Sequence, residues 1–169
     1  MGSSKRKSCA KAALLRWGGR RTGAIAWQDT ANALGIELVP IEVRARGDIA
    51  AAIATVATRQ AQAFVTIEDP LIISNARQIA GFALQSSLPM IGFRPQAEAG
   101  ALMDYGVDTV DNFYRMASFV DKVLKGTAPA DLPIERAVKF ETIVNLKSAK
   151  ALGIELPTSL LLRANEVIE

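Results

Sequence analysis

Ala63-Phe64-Val65-Thr66-Ile67-Glu68-Asp69-Pro70 decides the fold. Five residues with no charge, several of them β-branched or aromatic, read as a short strand buried on both faces. Two acids and a proline then stop it abruptly, and a helix is predicted from about Leu71 to Gln85. Working backward, Asp48 caps an Ala-rich helix over Ile49 to Gln60 with Ile53 and Val56 on one face. Ile36 to Val43 alternates and is β-branched, a strand. Ala24 to Leu34 reads as a helix that Gly35 stops from the C′ position.

Working forward, Pro89 to Phe93 is a second buried strand. Ala101 to Met103 is a third, weaker one that ends in the loop Asp104 to Asp108. Asp111 to Lys125 is amphipathic, with Phe113, Met116, Phe119, Val120 and Val123 predicted inward and Gly126 as the stop. Pro129 to Pro133 is a linker and Arg136 to Asn145 a strand. Ser148 to Leu152 is a short helix stopped by Gly153. Pro157 opens a final helix with Leu160, Leu161, Ala164 and Val167 inward.

Strands alternating with helices give parallel strands and right-handed crossovers. The predicted fold is therefore α/β: a three-layer α/β/α, Rossmann-like lobe with a mostly parallel sheet and a β-α-α tail over residues 23–169. Such a lobe begins with a strand. Only Leu14 to Trp17 offers a stump of one, and Arg20-Arg21 argues against its continuation into a sheet. Residues 1–22 are predicted to be a basic, poorly ordered leader.

Charge follows that division. The chain has 20 basic and 17 acidic residues, and seven of the basic ones lie in residues 1–21 with no acid among them. Residues 22–169 therefore hold 13 basic against 17 acidic residues and sum to −4. No stripe of Lys or Arg interleaved with aromatics follows, so nucleic acid is not an expected partner. The leader begins like a signal peptide, but Lys11 and Arg16 confine its apolar part to less than the 7–15 residues of a secretory core. It gives no convincing export signal, which implies a cytoplasmic setting if this N-terminus is native.

The chemistry is narrowed by absences from the sequence. With no histidine, Ser-His-Asp and Cys-His catalysis and His-ligated metals are excluded. Cys9, the single cysteine, cannot form an internal disulfide. There is no phosphate-binding glycine motif, so no nucleotide cofactor is expected. No catalytic residue and no metal site is predicted.

Open α/β sheets bind ligands beyond the carboxyl ends of their strands. Three loops meet that condition: Glu68-Asp69-Pro70, Phe93-Arg94 and Asp104 to Asp108. Carboxylates suit an ammonium group, Arg94 suits a carboxylate, and Phe93 and Tyr105 suit an apolar body. The set fits a small zwitterion such as an amino acid. Each residue also has a plain structural role. Asp69 before Pro70 is a helix cap, Asp104 and Asp108 flank a turn, Phe93 is core, and Arg94 is a surface charge.

Several stretches share a pattern with one family. They are Glu68-Asp69-Pro70-Leu71, Glu98-Ala99-Gly100-Ala101-Leu102-Met103-Asp104-Tyr105-Gly106, Asp121 to Gly126, Pro129 to Glu135, Lys139-Phe140-Glu141, Asn145 to Pro157 and Leu162 to Ile168. From about residue 35 onward the chain resembles the C-terminal half of a type I solute-binding protein of a bacterial ABC transporter, of the tryptophan/tyrosine-type group. The resemblance implies a periplasmic-binding-protein-like lobe, reversible binding of an amino-acid-like solute between two lobes, delivery to an ABC permease and a periplasmic setting. It implies Asp69, Phe93 and the Tyr105-Gly106 turn as ligand-facing, and Asp108 joins them as a carboxylate for an ammonium group. A small polar residue is usual where Asp104 stands. The family's first lobe precedes the matched region and is missing here, so a homodimer covering the exposed face is a further expectation. The alternative function is an intracellular regulatory or structural module that kept the fold and lost transport.

Overall fold

The computed structural model describes residues 10–18 and 22–169, with the side chains of 22–25 left aside. The leader's first nine residues lie outside the described residues. Strands β1 (Ala10–Trp17), β2 (Ile36–Val43), β3 (Ala63–Thr66), β4 (Met90–Gly92), β5 (Met103–Val107), β6 (Phe140–Asn145) and β7 (Glu166–Ile168) form one sheet in the order β2-β1-β3-β4-β5-β6-β7. Every neighbouring pair is parallel except β5 with β6.

The largest correction concerns β1, which lies within the stretch predicted as a leader. It lies between β2 and β3, and Ala13, Leu14 and Leu15 are fully enclosed. Four small or branched apolar residues, Ala12 to Leu15, fill the buried part of the strand. Lys11 and Arg16, the basic residues that interrupt the leader's apolar run, stand near the strand's two ends. Lys11 is in register with Glu37 and Arg16 with Glu42, and each pair is ion-bonded, Lys11 to Glu37 at 3.0 Å. Long basic side chains keep their stems on apolar surface and carry their charge to the periphery. The strand ends at Trp17, before Arg20-Arg21.

Helix α1 (Thr22–Leu34) ends at Gly35, whose φ of +66° is the left-handed conformation glycine adopts without strain. Helix α2 (Asp48–Thr58) buries Ile49, Ala52 and Val56, with Ile53 only partly covered. Asp48 is not its cap, which is Gly47; its carboxylate accepts from Arg44 N and Ala45 N and is held below the usual carboxylate range by those backbone bonds. The helix predicted over Leu71 to Gln85 is two helices, α3 (Pro70–Ser74) and α4 (Ala76–Gln85). Asn75 breaks it: its side-chain amide donates to Leu71 O at 2.8 Å, competing with the helical ladder. The core lies between the sheet and these helices, built on Leu15, Val43, Ile49, Val56, Phe64, Ile72, Ile79 and Met90.

Helix α5 (Arg94–Glu98) follows β4, and α6 (Thr109–Leu124) follows β5. The inward face predicted for α6 is not inward. No residue of α6 is buried, and Phe113, Met116, Val120 and Val123 are exposed. The tail returns as β6, α7 (Leu146–Leu152), α8 (Thr158–Leu161) and β7. Its strand starts at Phe140 and not at Arg136, and the predicted final helix is a single turn, with Val167 in β7. Asn145 locks the tail onto the lobe. Its amide donates to Ala97 O at 2.8 Å, while its side-chain oxygen caps α7 by accepting from Ser148 N. Among the described residues no helix is long and apolar enough to cross a membrane.

Candidate functional site

Residues alternate between the two faces of a strand, and cross-strand partners share a face. Val65, Ile91 and Met103 are in register on β3, β4 and β5, and Tyr105 lies two residues on from Met103. They line a groove of about 400 Å³ with Trp27, Ile67 and Phe93. Gly92 and Asp104 are in register on the opposite face. There Asp104, Gly106 and Asp108 line a cleft of about 410 Å³ with Glu68, Phe93, Arg94 and Glu141. Phe93, just beyond the end of β4, borders both hollows.

The predicted site residues are thus partly brought together. Phe93 and Tyr105 share the apolar groove; Phe93, Gly106 and Asp108 share the polar cleft. Tyr105 and Gly106 are strand residues, not a turn, because β5 runs on to Val107. Tyr105 is 60% exposed, and its ring stacks on Phe140 of β6 with centroids 5.8 Å apart and an 8° interplanar angle. Together the two rings make a flat aromatic platform beside the groove.

The carboxylates predicted for an ammonium group have other partners. Asp69 borders neither hollow; it caps α3 by accepting from Leu71 N at 2.8 Å. Asp108 caps α6 by accepting from Asp111 N at 2.9 Å and pairs with Lys139 at 2.8 Å. That backbone donor first, and then the Lys139 ammonium, hold the Asp108 carboxyl below its ordinary range, and Lys139 is raised in return. Arg94 is likewise not free for a ligand carboxylate. It clamps Glu141 at 3.0 Å and Glu166 at 2.7 Å, with Glu98 at 3.8 Å, and so fastens β6 and β7 to α5. Glu141 first, and then Glu166, raise the guanidinium above its usual value.

Asp104 was missed as a site residue. Its exposure is 2%, and its Oδ1 has no hydrogen-bond partner. Burial, then the nearby Glu141 carboxylate, pushes its carboxyl up to about 6, with Arg94 opposing. Beside it, Gln96 is completely enclosed. Its side-chain oxygen accepts from Thr66 Oγ1 at 3.0 Å and Phe93 N at 2.8 Å, while its Nε2 has no partner. Gln96 fills the space above Gly92: a Cβ there would meet Gln96 Oε1 at 2.1 Å. The available signal was the glycine in register with a charged residue inside an otherwise apolar strand pair.

The cleft carries an aromatic wall, an acidic floor and charges already neutralised around its mouth. Such a surface can hold a small polar molecule through hydrogen bonds and apolar contact. Among the described residues no three acidic or cysteine ligands stand close enough to hold a metal ion.

Comparison with known proteins bears on the fold and the family. A domain from Streptococcus pneumoniae, solved in complex with L-Trp, superposes with a TM-score of 0.85 at 25% identity, over 94% of this chain and 56% of that one. A conserved domain protein from Vibrio cholerae superposes with a TM-score of 0.83 at 23% identity, over 93% and 54%. A ligand-free, open substrate binding protein with adhesive properties from Clostridium difficile gives 0.68 at 19% identity, over 95% and 55%. The chain therefore spans about half the length of these structures. No curated protein matches it. The sequence profile described as ABC transporter substrate binding protein matches residues 21–168. The chain belongs to the ABC transporter substrate binding protein family.

Proposed function

We propose that this chain binds a small amino-acid-like solute reversibly and without chemistry, as the solute-holding part of an ABC importer that delivers to a permease outside the cytoplasm. The observation that carries the reading is the position of Phe93. It stands at the carboxyl end of a central strand, where ligands of open α/β sheets collect, and borders both an apolar groove and a polar cleft. An amino acid has the same division, with an apolar or aromatic body and a charged backbone. Phe93 and Tyr105 contact the body, and Gly106 lets the solute approach the strand. Asp69 and Asp108 serve the site by fixing the starts of α3 and α6 around it. The Trp-bound relative supports an amino acid as the class to test.

Isothermal titration with the twenty standard amino acids, at high protein concentration, tests the reading. Heat is expected for at least one apolar or aromatic member. Phe93→Ala is expected to weaken that binding about tenfold or more, because a buried ring contact is lost together with its area. Silence across the panel overturns the reading.

A further inference from the structure

We propose that Asp104, on the floor of the cleft, receives the ammonium group of the solute. The inference rests on the proposed function above and names the group that recognises the charged end. Two observations point to it. Asp104 Oδ1 is buried and unpartnered, and buried carboxylates in folded chains are ordinarily hydrogen-bonded because an unmet charge in low dielectric is costly. Second, no side chain stands over Oδ1 from the next residue on its face of β5: a Cβ on Gly106 would lie 3.3 Å from Asp104 Oδ1 and 3.9 Å from the Phe93 ring.

An alkylammonium fits this floor where a carboxylate does not. Three N–H donors meet an acceptor that lacks one, and the ion's charge offsets the carboxylate's. The other charges around Asp104 do not supply that donor. Glu141 on β6 and Glu68 after β3 are acids, and Arg94 on α5 is held by Glu141 and Glu166. Lys139 is held by Asp108 at the rim. Because Asp104 ionises near pH 6, the site holds an ammonium better as pH rises from 5 to 7.5.

The experiment uses three probes on the whole chain: L-tryptophan, tryptamine, which lacks the carboxylate, and indole-3-propionate, which lacks the amine. Calorimetric titration is run at pH 5 and pH 7.5 on the parent chain, Asp104→Asn and Asp104→Ser. At pH 7.5 the expected order is tryptamine and tryptophan at least tenfold tighter than indole-3-propionate. Asp104→Asn should weaken both amines by about ten- to a hundredfold, the range for a hydrogen bond to a charged group. It should leave indole-3-propionate unchanged and abolish the pH dependence. If tryptophan binds while neither variant alters amine affinity, Asp104 is not the ammonium site and the proposed function stands. If tryptophan gives no heat but tryptamine binds in an Asp104-dependent way, the ammonium site stands and the amino acid reading falls. Silence of all three overturns the Asp104 assignment. Should both variants fail to fold, the parent chain decides alone: tryptamine affinity that is flat between pH 5 and 7.5 overturns it.

Discussion

Helix α6 and the sheet-facing helices α2 and α4 carry equally regular apolar stripes, yet they end in opposite environments. Ile49, Ala52 and Val56 of α2 and Ile79, Ala80 and Ala83 of α4 are buried against the sheet. On α6, Phe113, Met116, Val120 and Val123 form a stripe of the same kind, and none is buried. Periodicity states that a helix has a face able to be covered. It does not state what covers it. The helices with partners follow or precede central strands, whose apolar rows meet them. Helix α6 leaves from β5 near the end of the parallel part of the sheet, where the chain turns back antiparallel into β6.

The sharpest break of this comparison is a pair of identical truncations. Phe64→Ala, in the closed core, is expected to lower unfolding stability by about 3–5 kcal/mol, the cost of lost burial plus the cavity left behind. Phe113→Ala, 63% exposed on α6, should stay within about 0.5 kcal/mol. Urea denaturation of both variants measures the difference; equal losses would mean that α6 is covered in solution.

A second test turns on Asp104, a buried carboxylate within the well-packed region. Its carboxyl ionises near 6 in the folded chain against 3.8 for the unperturbed group. The folded state therefore binds the proton more tightly than the unfolded state. The associated stability is complete below about pH 4 and is lost as pH rises through about 6. Asp104→Asn should accordingly gain about 2–3 kcal/mol over the parent at pH 8, and this advantage should shrink as pH falls toward 4. Denaturation midpoints at pH 8 and pH 4 report it, and a gap that does not change between them counts against a buried carboxylate. A smaller effect than either belongs to the start of α6. Asp108→Ala removes the cap of α6 and is expected to cost about 1 kcal/mol, read as lost helicity in circular dichroism or as a lower midpoint.

Local strength of pattern explains which parts were legible. The buried strands at Phe64 and Met90 and the strand Ile36–Val43 were readable because continuous or alternating apolar residues between clear stops have few other uses. Of strand β1 only a stump, Leu14 to Trp17, was legible, because Arg20-Arg21 argued against its continuation and Lys11 and Arg16 find Glu37 and Glu42 only through the register with β2. The boundary of β5 was misplaced for a similar reason. Asp104-Tyr105-Gly106 reads as a turn by composition, and only pairing with Glu141-Thr142-Ile143 makes it a strand. Of the residues expected to face a ligand, topology led to Phe93, Tyr105 and Gly106, which line the two hollows. The roles of Asp69, Asp108 and Arg94 depended on partners as far as 72 residues away in sequence.

The order of chemical types along the chain was enough to determine an alternating α/β lobe and the family. Tertiary structure alone decided that β1 is central, that α6 lies uncovered, and that Asp104, rather than Asp69 or Asp108, is the carboxylate without a partner. The reason is that secondary structure responds to neighbours a few residues away. Burial and ionisation respond to groups that only long-range pairing brings within a few ångströms.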